Sequence, residues 1–211
     1  MTDGVATDLC DGSGWRRIPL PAADLSLRPA FCSRAEADRL LQHLLDEIPW
    51  RQERLRLFGR EIAQPRLTAW YGDPGARYAY SGLQLDPRPW TATLRTVRER
   101  VAEACSARFN SVLLNLYRDQ RDSVGLHSDD EAELGTEPVI AALSLGSTRT
   151  LVFRPRRRRL GEPLRLSLES GSLLLMRGAT QANWRHGIPR QRQACGPRIS
   201  LTFRWIHDAP L

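Results

Sequence analysis

The apolar positions of this chain change period once, near residue 110. Upstream of that point, Leu40, Leu41, Leu44, Leu45 and Ile48 recur at the spacing of one helix face and stop at Pro49. Ser33-Arg-Ala-Glu36 lies just ahead of them and has the form of a capping box, which predicts where that helix starts. Leu94, Val97, Val101 and Ala104 repeat the helical spacing and predict a second helix from about Pro89 to Ala107. After Asn110 the pattern becomes short apolar runs separated by turn residues, at 111–117, 139–146, 149–154, 164–168, 172–176 and 198–205. Many short strands of this kind predict a sandwich or a barrel.

The order of elements divides the chain into a tail over 1–15, a helical segment with connecting structure over 16–110, and a strand-rich core over 111–211. No internal repeat or second domain interrupts them. A length of 211 residues suits one compact domain with a sizeable core.

Composition narrows the partners. The net charge is +7, and all 31 basic residues are arginine, as expected of a GC-rich bacterial genome. A basic balance favours phosphate-bearing partners. The four cysteines, Cys10, Cys32, Cys105 and Cys195, are scattered with no Cys-x-x-Cys pair, which argues against a zinc ribbon or disulfide framework. No apolar run approaches the ~18 residues of a membrane span. The acidic start of the chain does not read as a signal peptide. The expectation is a cytoplasmic, monomeric protein with no membrane association.

The candidate chemistry sits in the second half. Asn115-Leu-Tyr117 precedes His127-Ser-Asp129-Asp130-Glu131, and a later histidine stands in Trp184-Arg-His186-Gly. A His-x-Asp pair alone is more often a loop histidine beside a capping aspartate. Only four histidines exist, however, and two of them fall in the order of close pair, then distant partner. Two imidazoles and one carboxylate on one face of a metal leave three positions open, the arrangement of non-haem Fe(II) oxygenases.

Downstream, Arg198-Ile-Ser-Leu-Thr-Phe-Arg204 alternates strictly, with Ile199, Leu201 and Phe203 on one face and Arg198, Ser200, Thr202 and Arg204 on the other. That pattern predicts a half-buried strand. Its arginines would stand roughly 20 Å apart at the Cα atoms, leaving room for a small dicarboxylate between their side chains. A solvated polar face is the plainer alternative. Asn115 and Tyr117 share a strand face and could bond co-substrate oxygens, although a barrel-packing tyrosine is the simpler reading of Tyr117.

These motifs, with Pro65-Arg-Leu-Thr-Ala-Trp-Tyr-Gly-Asp73, Tyr78-Ala-Tyr-Ser-Gly-Leu83, Ile140-Ala-Ala-Leu-Ser-Leu-Gly146 and Gly171-Ser-Leu-Leu-Leu-Met176, resemble the AlkB family of Fe(II)- and 2-oxoglutarate-dependent nucleic-acid dealkylases. The likeness is to the subgroup holding the animal nuclear DNA-repair members, and it covers about Leu57 to Ile206. It implies an α+β, mainly β fold: a double-stranded β-helix, or jelly roll, with supporting N-terminal helices and a nucleotide-recognition lid. It implies that His127, Asp129 and His186 bind Fe(II). Arg198 would pair with the distal carboxylate of 2-oxoglutarate, while Arg204, Asn115 and Tyr117 would contact its other end or middle. The family commonly has Asn where this chain has Ser200, so one co-substrate hydrogen bond is expected to differ.

The implied reaction consumes O2 and 2-oxoglutarate, releases succinate and CO2, and hydroxylates an N-methyl carbon that is then lost as formaldehyde. The implied substrate is alkylated DNA of the N1-methyladenine and N3-methylcytosine type, with RNA as a second candidate. A base must leave its stack to reach buried iron. Tyr78, Tyr80, Ser81, Asp130 and Glu131 are the expected base contacts, and Phe58 in Leu57-Phe-Gly-Arg60 is either the wedge for the vacated stack or a core residue of an ordinary turn. Arg154-Pro-Arg-Arg-Arg-Arg159 is either a phosphate-contacting loop or a solvated hairpin. Two other functions remain open on the residues: a hydroxylase of a protein or small molecule, and a non-catalytic nucleic-acid-binding module.

Overall fold

A computed structural model describes residues 14–57, 60–76, 78–80 and 83–207. Its N-terminal part runs β1 (Arg16–Ile18), β2 (Asp24–Arg28), α1 (Arg34–Glu47), β3 (Arg54–Leu57), β4 (Arg60–Ala63) and β5 (Leu67–Gly72). There follow β6 (Tyr78–Tyr80), β7 (Leu83–Leu85), α2 (Ala92–Cys105), β8 (Ser111–Tyr117) and β9 (Val124–His127). The remainder is β10 (Ile140–Gly146), β11 (Arg149–Pro155), β12 (Leu164–Leu168), β13 (Leu173–Arg177), α3 (Thr180–Asn183), β14 (Trp184–Ile188) and β15 (Arg198–Arg204).

The strands form two main antiparallel sheets. The larger has the order β1-β2-β13-β10-β15-β8-β5, and the smaller has the order β12-β11-β14-β9. Hairpins β3–β4 and β6–β7 stand apart as two-stranded units. This is the jelly roll expected from the family resemblance. Residues 16–110 supply three of the seven large-sheet strands, so the change of pattern near 110 does not divide the sheet itself.

Helices α1 and α2 follow their sequence signals. Ser33 Oγ accepts from Glu36 N at 3.3 Å, and Glu36 Oε2 accepts from Ser33 N at 3.0 Å, closing the capping box at the start of α1. Thr91 Oγ1 accepts from Leu94 N at 3.2 Å, so α2 starts at Ala92 rather than near Pro89. The apolar stripes of α1 (Ala37, Leu41, Leu44) and α2 (Leu94, Val97, Val101) pack against one face of the large sheet, on Leu114, Leu143, Leu201 and Phe203. A second core between the sheets joins Leu25, Leu27, Ile140, Leu151, Phe153, Leu174 and Trp184.

β15 departs from the half-buried strand that alternation predicts: all seven of its residues are buried. Ile199, Leu201 and Phe203 meet the helices, while Arg198, Ser200, Thr202 and Arg204 face an internal cavity instead of water. Period two separates two faces but does not tell solvent from a polar interior. Beyond residue 110, β9 and β14 were not expected and both carry candidate ligands; upstream of it, neither were β1, β2 and β5 of the large sheet. No helix among the described residues is long and apolar enough to cross a membrane.

Candidate active site

His127 closes β9, and His186 lies mid-way along β14. The two residues are direct cross-strand partners with ring centroids 4.5 Å apart. Asp129 sits two residues beyond the end of β9, on the turn leading to a 3-10 segment at Ala132–Leu134. One ligand atom from each of His127, Asp129 and His186 lies within 4.8 Å of the others.

The residues fit a divalent metal in their atoms as well as their spacing. The carbonyl of Gly125 lies 2.9 Å from His127 Nδ1 and can only accept, so Nδ1 carries a proton and Nε2 is the nitrogen left to bind a metal. Asp129 is fully buried, and Arg204 donates to its Oδ2 from Nη2 at 2.8 Å and Nε at 3.2 Å. Its other oxygen, Oδ1, has no hydrogen-bond partner and lies 3.6 Å from His127 Nε2. An orphaned buried carboxylate oxygen beside two imidazoles is costly unless a cation occupies the space between them.

Protonation favours the same reading. Burial raises the Asp129 pKa, but the Arg204 guanidinium beside it outweighs burial and holds the group below the usual carboxylate range. Burial and the neighbouring His127 push His186 down to about 3, so its imidazole is neutral near pH 7, as a metal ligand must be.

The turn bearing Asp129 is pinned from several sides. Gln181, itself buried, accepts from Asp129 N through Oε1 at 3.1 Å. Ser128 Oγ donates to Trp184 O at 3.0 Å and accepts from Arg156 Nε at 3.2 Å. Arg156 also forms an ion pair with Asp130. The arginine run at the end of β11 therefore has one member committed to this segment, while Arg154, Arg157, Arg158 and Arg159 are exposed.

The sheets hold the other expected residues around one cavity. Asn115, Tyr117, Arg198 and Arg204 line it with His127 and His186. Ser200, opposite Asn115 in the β15–β8 register, lines it too. Arg198 is 1% exposed and donates to Ser144 Oγ at 2.8 Å, while its Nε and Nη1 find no acceptor. Burial lowers its pKa, and the adjacent Tyr117 partly offsets that. A buried guanidinium with two unsatisfied nitrogens is a receptor for a carboxylate.

Arg66 was not expected, yet it lines the same cavity and donates to Asn115 Oδ1 at 2.7 Å. The alternation of Arg66, Thr68 and Trp70 against Leu67, Ala69 and Tyr71 was the available signal. Gln181 and Arg156 carried no comparable signal, because both act through long-range contacts.

The base-facing residues are less fully defined. β6 holds Tyr78 and Tyr80 on one backbone face, paired with Leu85 and Leu83 of β7. Glu131 is half-buried, and Asp130 is exposed in its pair with Arg156. Phe58 and Ser81 lie outside the described residues. β3 and β4 pair with Leu57 opposite Arg60, on either side of Phe58. His43 and His207 play no part in the cluster: His43 meets Thr93 Oγ1 at 2.8 Å on α1, and His207 follows β15.

Gly187 sets how closely the two histidine strands approach. A Cβ there would come within 2.9 Å of the carbonyl oxygens of Val124 and Gly125. Gly187→Ala should therefore push β9 away from β14, cost about 1–3 kcal/mol of stability, and weaken metal binding sharply. Chemical denaturation and Mn(II) titration of the variant check this, and unchanged metal affinity would show that the strand spacing is not limiting.

Comparison with known proteins agrees with this geometry. Residues 24–204 match the model of the 2OG-Fe(II) oxygenase superfamily. "Alpha-ketoglutarate-dependent dioxygenase alkB homolog 3" of Mus musculus is 43% identical over 203 residues, covering 91% of this chain and 69% of the relative. "DNA oxidative demethylase ALKBH2" of Homo sapiens is 39% identical over 204 residues, covering 92% of this chain and 78% of the relative. Among solved structures, one titled "The structure of OsALKBH1" superposes with a TM-score of 0.62 at 15% identity, covering 90% of this chain and 99% of that one, a likeness of fold. The chain belongs to the 2OG-Fe(II) oxygenase superfamily and, within it, to the AlkB family.

Proposed function

We propose that this protein is an Fe(II)- and 2-oxoglutarate-dependent dioxygenase that removes N-methyl groups from alkylated DNA. The observation that carries the reading is the joining, in one cavity, of a buried His127–Asp129–His186 set with an orphaned carboxylate oxygen and a buried Arg198 with unsatisfied nitrogens. The first set suits a divalent metal and the second a carboxylate co-substrate. Relatives named as a dioxygenase and as a DNA oxidative demethylase support the reaction class.

In this reading His127, Asp129 and His186 hold iron, and Arg198 orients the distal carboxylate of 2-oxoglutarate. Asn115, fixed by Arg66, contacts the middle of the co-substrate together with Tyr117. Arg204 holds Asp129 in place from behind and closes the other end of the cavity. Bound Fe(II) would supply oxidation by O2, with 2-oxoglutarate converted to succinate and CO2 and the methyl carbon lost as formaldehyde. The protein's part is ligation, orientation and exclusion of side reactions.

At the base, Asp130 is engaged by Arg156, which leaves the recognition of a cationic methylated base to Glu131. Tyr78, Tyr80 and Ser81 form the lid around the base, and Phe58 fills the vacated stack in a duplex. RNA is a second substrate. The protein acts as a monomer in the bacterial cytoplasm, where its free Cys32, Cys105 and Cys195 stay reduced.

Release of formaldehyde and succinate from oligonucleotides carrying N1-methyladenine or N3-methylcytosine tests the reading. Equal amounts of the two products, lost on removal of iron, are expected. Succinate formed without formaldehyde on every methylated strand would point to a hydroxylase with another substrate.

A further inference from the structure

Arg149 opens β11 and is 1% exposed, as deeply buried as Arg198. Its guanidinium donates only to neutral acceptors: Nη1 to Asp119 O at 3.1 Å, and Nη2 to Asp122 O and Pro189 O, each at 2.8 Å. Its Nε has no acceptor. The nearby carboxylates are used elsewhere, Asp119 by Arg121 and Asp122 by Arg118. Among the described residues, no ion pair includes either Arg149 or Arg198.

The two arginines share a neighbour. Arg149 Cζ lies 5.4 Å from the centroid of the Tyr117 ring, and Arg198 Cζ lies 5.2 Å from the same centroid. Tyr117 and Arg198 line the cavity, whereas Arg149 stands behind them. Two buried cations against one ring repel each other, and Arg149 adds to the lowering of the Arg198 pKa. Burying a charge without a counter-charge costs several kcal/mol, so this arrangement favours whatever brings negative charge to it.

We infer that Arg149 is a positioning residue of the co-substrate cavity: it sets the Tyr117 ring and supplies a second positive charge, so that the cavity selects a 2-oxo acid with a charged distal end. The inference rests on the proposed function, since it concerns the same cavity. Arg149 also ties together the 119–122 loop and Pro189, so loss of affinity alone would not separate charge from tethering. Ligand selectivity does separate them.

The test compares binding of 2-oxoglutarate with that of 2-oxovalerate, which has the same chain length without the distal carboxylate, to the Mn(II)-loaded protein by calorimetry. Arg149→Gln should weaken 2-oxoglutarate about tenfold and leave 2-oxovalerate within about twofold. Arg149→Lys, which keeps the charge, should retain most of the wild-type preference. It also serves as the measurable variant if the glutamine form does not fold, and collapse of the preference in it would overturn the inference. Equal losses of both ligands in Arg149→Gln would do the same, leaving only a loop tether. Failure of the wild type to bind 2-oxoglutarate at all would instead overturn the proposed function, and this inference with it.

Discussion

Asp129→Ala is expected to abolish metal-dependent turnover and to destabilise the metal-free protein by about 3–5 kcal/mol. The two losses have different origins. Turnover fails because two imidazoles alone hold a labile divalent ion poorly in an open site. Stability falls because the substitution removes the carboxylate to which Arg204, 3% exposed, donates twice. His127→Ala separates the effects. Its ring is half-buried, lines the cavity and contacts the local carbonyl of Gly125, so that variant should lose the metal while keeping most of its stability. Urea unfolding of both metal-free variants beside Mn(II) titrations makes the comparison. Equal stability of the two would show that the Asp129–Arg204 pair contributes nothing to the fold.

The second large effect belongs to Arg198. Arg198→Ala should raise the 2-oxoglutarate requirement roughly 10- to 150-fold while changing the nucleic-acid requirement little. That range corresponds to the ~1.5–3 kcal/mol of a hydrogen bond to a charged group. The variant orphans no carboxylate, because the contacts of Arg198 are with the Ser144 hydroxyl and with Tyr117. The ligand-free protein should therefore stay folded, which makes the kinetic comparison clean. Steady-state titration of each substrate in turn decides it. An unchanged 2-oxoglutarate response with a raised DNA requirement would make Arg198 a phosphate contact instead.

The parts of the fold that could be read from the chain are those whose signals are local. The capping box at Ser33 and the stripe ending before Pro49 locate α1 closely, because every partner lies within a few turns. The strands at 111–117, 140–146 and 198–204 are long enough for apolar runs or alternation to show. β9 is not. Its four residues, Val-Gly-Leu-His, have an interior glycine and no buried face, and only pairing with β14 makes them a strand. β14 carries one arginine outward between buried neighbours and is likewise too short for a period to emerge.

The site divides along the same line. His127, Asp129 and His186 were recoverable from residue type and order, and the arginine face of β15 from alternation. The Arg204–Asp129 pair bridges 75 positions, and the Gln181 contact to the Asp129 backbone bridges 52, so neither leaves a local trace. Arg156 shows the opposite difficulty. It sits in a conspicuous basic run, but its commitment to Asp130 and Ser128 distinguishes it from its neighbours only once the chain is folded.

The cross-strand pairing of His127 with His186 has a kinetic consequence. The two residues are 59 positions apart and meet only at the β9–β14 junction, where the register shifts just beyond His186. Closing so long a segment is entropically unfavourable until the intervening strands have docked, so a folding chain reaches this junction late. A metal bound there would bridge an edge strand to its neighbour as a reversible staple. Contacts absent from the folding transition state slow unfolding without speeding folding. Iron would then lengthen the lifetime of the native state as well as equip it for chemistry, and its removal would shorten that lifetime before it altered the architecture.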